Sequence, residues 1–221
     1  MSVQGTMRGE PTAAAWRGAL ACLVACALAG CASGAFDSER PYQQVYVLAS
    51  LPPRPASAAL LPVDVAVAQP LVRPGLDTDR IAVLYPDRRL DYFAASRWGG
   101  ATDRVVQSLL VESLRNAAGL RSVQGESSVF VAEFVMQTEV TAFQAEYAAQ
   151  GGPPQAHVQL LVTFGRLADR RPLSSFVSDA RVPADSNSLP SVLAAFERAW
   201  HQAAGEIVDR TRAAIEQPTG Q

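Results

Sequence analysis

Phe130-Val131-Ala132-Glu133-Phe134-Val135-Met136-Gln137-Thr138-Glu139-Val140-Thr141-Ala142 is the stretch that decides the fold class. Phe130, Ala132, Phe134, Met136, Thr138, Val140 and Ala142 occupy every second position, the period that places side chains on one side of a strand. Val158, Leu160, Val162 and Phe164 repeat that period after Ala148 to Gln155 (AAQGGPPQ), whose paired glycines and prolines read as a turn. Gly165 to Pro172 (GRLADRRP) then leads into Ser174 to Val182. Residues 130–182 are therefore predicted to form a three-stranded antiparallel meander.

Outward from the meander, the period changes to that of a helix on both sides. Val106, Leu109, Leu110, Leu114 and Ala117 share one face of a predicted helix from about Ala101 to Ala118, and Gly119 stands where a left-handed cap is wanted. After Ser188, Pro190 opens a second helix whose stripe is Leu193, Phe196, Trp200, Ala203, Ile207 and Ala214, with Glu197, Arg198, Glu206 and Asp209 opposite. Upstream, Val63 to Ala68 and Arg80 to Leu84 read as strands, with Arg89 to Phe93 returning across Pro86-Asp87. Val45-Tyr46-Val47-Leu48 reads as a first strand that ends before the proline-rich Leu51 to Pro62, where Pro52, Pro53 and Pro55 cannot donate to a ladder. The expected fold is α+β, an antiparallel or mixed sheet with two amphipathic helices packed on one face.

Composition narrows the chemistry. Among 221 residues the 19 basic ones are all arginine, so neither a Walker loop nor a Schiff-base enzyme can be built. The 21 acidic residues leave a net charge of −2, which argues against a nucleic-acid surface. His157 and His201 lack ligand spacing and read as surface or boundary residues. Ser127 and Ser128 lack a nucleophile elbow, while Asp77/Asp79 and Asp87/Asp91 read as solvated turn carboxylates. Gly99-Gly100 lacks the other glycines of a dinucleotide fingerprint. The expectation is a protein that is not an enzyme and needs no metal or cofactor. Phe196 and Trp200 read as core, and Arg88 to Trp98 (RRLDYFAASRW) as a strand-to-helix corner with Trp98 wedged inward and its arginines solvated or binding.

The compartment is read from the first residues. Arg8 and Arg17 precede Ala19 to Leu28 (ALACLVACAL), which is too short to span a bilayer needing ~20 apolar residues but suits the core of a signal peptide. Met7 serves as a start as well as Met1. Leu28-Ala29-Gly30-Cys31 resembles the lipobox of bacterial lipoproteins; an ordinary secretory signal with a small-residue cleavage site is the other reading. The lipobox implies that Leu28, Ala29 and Gly30 are recognised by the signal peptidase and that Cys31 carries three acyl chains, palmitate among them, as the protein's covalent anchor. With Cys22 and Cys26 removed and Cys31 acylated, the mature domain keeps no thiol. The expected division is a signal peptide over 1–30, a lipidated tether over 31–42, one domain over 43–216 and a tail over 217–221. In lipoproteins of the enterobacterial kind an aspartate directly after the cysteine retains the protein in the inner membrane, so Ala32 implies the periplasmic face of the outer membrane.

Tyr46-Val47-Leu48, the strand at Val63 to Ala68, the arginine- and tyrosine-rich hairpin ending at Arg97-Trp98, and the final helix with Val192 to Ala199 (VLAAFERA) follow one another behind the lipobox. In that order they resemble the ABC-type transport auxiliary lipoprotein family over the whole mature domain. Gln69 to Gly75 (QPLVRPG) departs from the family's Leu-Pro-x-Tyr-Leu-Asp-Arg-Pro run, keeping Leu71 and Arg73-Pro74 without the tyrosine. The resemblance implies an accessory subunit of an ABC or MCE-type envelope transporter of phospholipid, bridging to the outer membrane. Its partners would be the transporter's periplasmic subunit, phospholipid and further copies of itself. A lipoprotein subunit of an outer-membrane assembly or export machine is the alternative. Arg73, Arg88 and Arg89 are the expected partner-binding residues, since guanidinium groups pair with carboxylates or stack on aromatics.

Overall fold

The computed structural model describes residues 43–55, 60–125, 128 and 130–217. Their strands, in chain order, are β1 (Gln44–Tyr46), β2 (Leu61–Val67), β3 (Leu71–Val72), β4 (Arg80–Leu84), β5 (Leu90–Trp98), β6 (Leu120–Gly125), β7 (Phe134–Glu146), β8 (Gln155–Arg166) and β9 (Arg171–Pro183). Helix α1 (Thr102–Ala117) separates β5 from β6, and α2 (Leu189–Glu216) closes the chain. The fold is α+β, with one mixed sheet of nine strands. The leader, Cys31 and the tether lie outside the described residues.

β7 organises the sheet. One of its edges pairs antiparallel with β8 along its whole length, and β8 pairs antiparallel with β9, which is the expected meander. The other edge takes three parallel strands in succession: β2 opposite Phe134–Met136, β3 opposite Glu139–Val140 and β4 opposite Gln144–Glu146. β6 extends the sheet parallel to β2, while β5 pairs antiparallel with β4 and β1 parallel with β5. Thirteen residues at ~3.4 Å each make β7 about 40 Å long. It therefore holds the β2–β6 branch at one end and the β4–β5–β1 branch at the other.

Burial follows the period-two pattern with one break. Phe134, Met136, Val140, Val158, Leu160, Val162 and Phe164 are all buried on the helix-covered side. A bulge between Val140 and Ala142 inserts one residue, so that Phe143 and Ala145 take over the inward positions beyond it. Alternation also overran the strand at its start: Phe130 and Val131 are 76% and 91% exposed and precede β7. β3 and β6 were not expected, and the first strand is confined to Gln44–Tyr46 with Val47 in solvent.

Both helices fall where their caps placed them. Pro190 lies in the first turn of α2, and Gly119 after α1 takes φ +63°, a left-handed conformation cheap for glycine. The buried face of α2 is wider than the predicted stripe, because Val192, Ala195, Ala199, Ala204 and Val208 join Phe196, Trp200, Ala203 and Ile207. Small residues on that face let the helix approach β8 and β9 closely. Trp98 reaches the same core: its ring is 5.3 Å from Phe196, edge-on, and 5.5 Å from Phe143. The aromatic residues of α2 are thus packing residues.

Candidate functional site

The arginine-rich corner is built by the β4–β5 hairpin and the loop after β3. Arg88 occupies the turn with φ +69°, and the Asp87 carboxylate accepts from the Arg89 backbone N–H at 3.1 Å. Arg88 and Arg89 are exposed, as expected of a solvated turn. Arg89 is not an unpartnered cation, however, for its guanidinium lies 3.8 Å from both Asp87 and Asp91 and 4.3 Å over the Tyr85 ring. Tyr85 in turn stacks on Tyr147 at 5.4 Å, which carries the arginine–tyrosine tier from the hairpin onto the end of β7. Burial, with Tyr85 beside it, raises the Tyr147 phenol above its ordinary value.

Arg73 belongs to the same region through its loop. The Arg73 N–H donates to the Val140 carbonyl at 3.1 Å, and the Tyr92 hydroxyl donates to the Gly75 carbonyl at 2.8 Å. Gly75 is required there: it has φ +89°, and a Cβ would stand 2.8 Å from Leu90 Cδ2. Arg80 covers the other ring, its guanidinium 4.0 Å from the Tyr92 centroid. The segment that departs from the family pattern is therefore clamped against β5, bringing the exposed Arg73 loop onto the strand that starts beside Arg89.

His157 corrects the expectation of a surface or boundary residue. It is 95% buried on β8, on the sheet face away from the helices. Its Nδ1 lies 2.6 Å from Glu146 of β7 and its Nε2 2.9 Å from Asp179 of β9. Gln144 and Gln159 donate to the same two carboxylates at 2.8 Å each, and Arg181 stands 3.6 Å from Asp179. Burial opposes ionisation of Glu146, but the hydrogen bonds from His157 and Gln144 outweigh it and hold the carboxyl below its ordinary value. Sequence reasoning missed this cluster because its members are brought together by β-register and not by spacing along the chain. His201 is half-buried on α2, with Nε2 3.2 Å from the Ala49 carbonyl and 3.1 Å from that of Ser50.

A second ionic group ties β6 to β2. Arg121 donates to both Asp64 oxygens through Nε and Nη2, its Nη2 reaches Glu133 at 2.7 Å, and Ser122 donates to Asp64 at 2.8 Å. These hydrogen bonds lower the Asp64 carboxyl and raise the Arg121 guanidinium. Among the described residues no group of three or more His, Cys, Asp or Glu is placed to hold a metal ion, and no helix is long and apolar enough to cross a membrane. Leu28, Ala29, Gly30, Cys31 and Ser127 lie outside the described residues.

The family model described as ABC-type transport auxiliary lipoprotein component matches residues 46–208. A Xanthomonas campestris protein of family DUF330 is similar in fold, with a TM-score of 0.68 at 20% identity, over 77% of this chain and 96% of that one. A second solved structure, of an uncharacterised protein, gives 0.59 at 13% identity over 76% and 97%. A Chlamydia trachomatis protein gives 0.48 at 13% over 71% and 99%. Comparison with curated proteins finds no match.

Proposed function

The chain belongs to the ABC-type transport auxiliary lipoprotein family, and on that membership we propose that it is the periplasm-facing accessory subunit of an MCE-type phospholipid transport system. The family match carries the reading, since it runs from the last residue of β1 into α2 and so covers β2 to β9, α1 and most of α2. The subunit works by position and not by catalysis. Acyl chains on Cys31 hold it to the outer membrane, and the folded domain docks the transporter's periplasmic subunit.

The hairpin turn and the Arg73 loop form the docking surface. Support comes from their exposure and from the tier beneath them, where Tyr85, stacked on Tyr147, holds Arg89 and Tyr92 bonds the Gly75 carbonyl of the Arg73 loop, which lowers the ordering cost of an interface. Reversing two charges at once, Arg88→Glu with Arg89→Glu, is expected to abolish co-purification of the genomic MCE partner from detergent extracts. The circular dichroism spectrum should stay native and the melt fall only slightly, because the pairs of Arg89 with Asp87 and Asp91 are exposed and worth about 1 kcal/mol or less each. Full recovery of the partner by the folded double variant would remove this surface. The anchor is tested separately by metabolic labelling with a radiolabelled fatty acid: label is expected in the wild type and absent from Cys31→Ala.

A further inference from the structure

The end of β7 remote from the docking hairpin carries a second surface of a different chemistry. There the segment before β7 and the β8–β9 turn lie side by side, joined by the Leu167 N–H donating to the Glu133 carbonyl at 3.0 Å. Between them they expose three large apolar side chains, Phe130, Val131 and Leu167, the last 43% exposed. Leu167 lines a pocket of about 420 Å³ together with Val135, Pro172, Arg166, Arg170 and Arg171, while Phe130 and Val131 lie at the same end of the sheet towards β6, where Gln124 donates to the Phe130 carbonyl. Arg170 has φ +54°, a backbone conformation that an L-residue enters at a cost.

Charge at this end runs against the rest of the chain. Arg121 is more than neutralised by Asp64 and Glu133, which leave one negative charge beside β6. Asp169, the acid within the turn, stands 3.9 Å from Arg166 and accepts from the Arg171 N–H. Among the described residues of this end, Arg121, Arg166, Arg170 and Arg171 against Asp64, Glu133 and Asp169 leave one excess positive charge, carried by the β8–β9 turn, on a chain whose net charge is −2. Scattered exposed apolar residues are ordinary, but three at one end of a sheet, one of them within an arginine-rimmed pocket, form the pattern of an interfacial surface.

We propose that this end of the sheet contacts the headgroup layer of an anionic phospholipid membrane. Arg166, Arg170 and Arg171 pair with lipid phosphates, and Phe130, Val131 and Leu167 enter the boundary between headgroups and acyl chains. An arginine suits both parts, since its stem covers apolar surface while its guanidinium bonds two phosphate oxygens. An acidic protein partner would satisfy the arginines and leave the apolar trio without a role. The proposal goes beyond transporter docking and does not depend on it, because neither Arg88 nor Arg89 takes part.

The test uses a form of the protein beginning at Ala32, free of the acyl anchor, which keeps every described core residue from Leu48 to Val208. It is mixed with phosphatidylcholine vesicles, with or without phosphatidylglycerol, and floated. The wild type is expected to float with the anionic vesicles and not with the neutral ones. Replacing Arg170→Gly and Arg171→Gln should cut the bound fraction roughly tenfold or more, from about fivefold per basic residue at an anionic surface. Glycine relieves the positive φ at 170, and a wild-type circular dichroism melt of the double variant separates the loss from unfolding. Phe130→Ser with Val131→Ser should also weaken flotation. Three results would overturn the proposal: no flotation of the folded wild type with anionic vesicles, equal flotation with neutral ones, or displacement by soluble glycerophosphoglycerol, which would make the pocket a site for free phosphate esters.

Discussion

At the scale of single residues, His157 shows how a sheet makes a polar core on the face its helices do not cover. The ring spans three strands, with Glu146 on one side and Asp179 on the other, so one imidazole ties β7 and β9 to β8. His157→Phe keeps a ring of similar volume and removes both bonds, leaving two partly buried carboxylates short of a partner. The expected loss is about 1–3 kcal/mol, the cost of unsatisfied buried polar groups, read as a lower midpoint in urea. A midpoint equal to wild type would show that solvent replaces the histidine. Glu146 adds a pH dependence of definite sign. Its folded-state value is held below the ordinary 4.5, so the folded protein binds fewer protons there than the unfolded chain. The resulting stabilisation is present in full above that ordinary value and is lost as pH falls through the lowered one. Glu146→Gln should therefore flatten the acid side of a plot of melting temperature against pH, while an unchanged slope would assign it to other carboxylates.

Elements differ in how much of them could be read before the structure. α2 was legible because Pro190 sets its start and Phe196, Trp200 and Ile207 recur at helical spacing. β8 was legible because Val158, Leu160, Val162 and Phe164 never break step. β3 was not, since two residues carry no period and become a strand only by bonding to Glu139 and Val140. β6 alternates weakly, as its Arg121 and Ser122 serve the Asp64 cluster. The bulge in β7 was missed because Ala142, just beyond it, continues the apolar even positions; only Gln144 and Glu146, with Phe143 and Ala145 between them, mark the change of face. Of the candidate site, the arginines were legible as exposed turn residues, whereas the tyrosine tier beneath them depends on strand pairing. A prediction at this scale follows from the wide buried face of α2. Phe196 is fully buried and touches both Trp98 and Phe143, so Phe196→Asp loses the ring, about 3–5 kcal/mol by analogy with Phe→Ala, and buries a carboxylate besides. It should fail to give a cooperative melt, and a melt near wild type would place the side chain in solvent.

For the whole molecule, the consequence lies in the separation that β7 imposes. The docking hairpin leaves β4 opposite Glu146, at one end of the strand, and the arginine-rimmed pocket sits where Phe134 pairs with Arg166, at the other. About 40 Å of continuous hydrogen-bonded strand divides them. Substitutions that far apart, with no shared partner, act independently. Arg88→Glu with Arg89→Glu should lose the transporter subunit in co-purification yet still float with anionic vesicles, and Arg170→Gly with Arg171→Gln should do the reverse. The quadruple variant should show both losses, neither larger than in its parent. Such a pattern is what a rigid spacer between a protein complex and a lipid surface requires, because each contact must form without waiting for the other. If either double variant lost both properties while keeping its fold, the two ends would be one surface, and a bridge built along β7 would be the wrong description of the molecule.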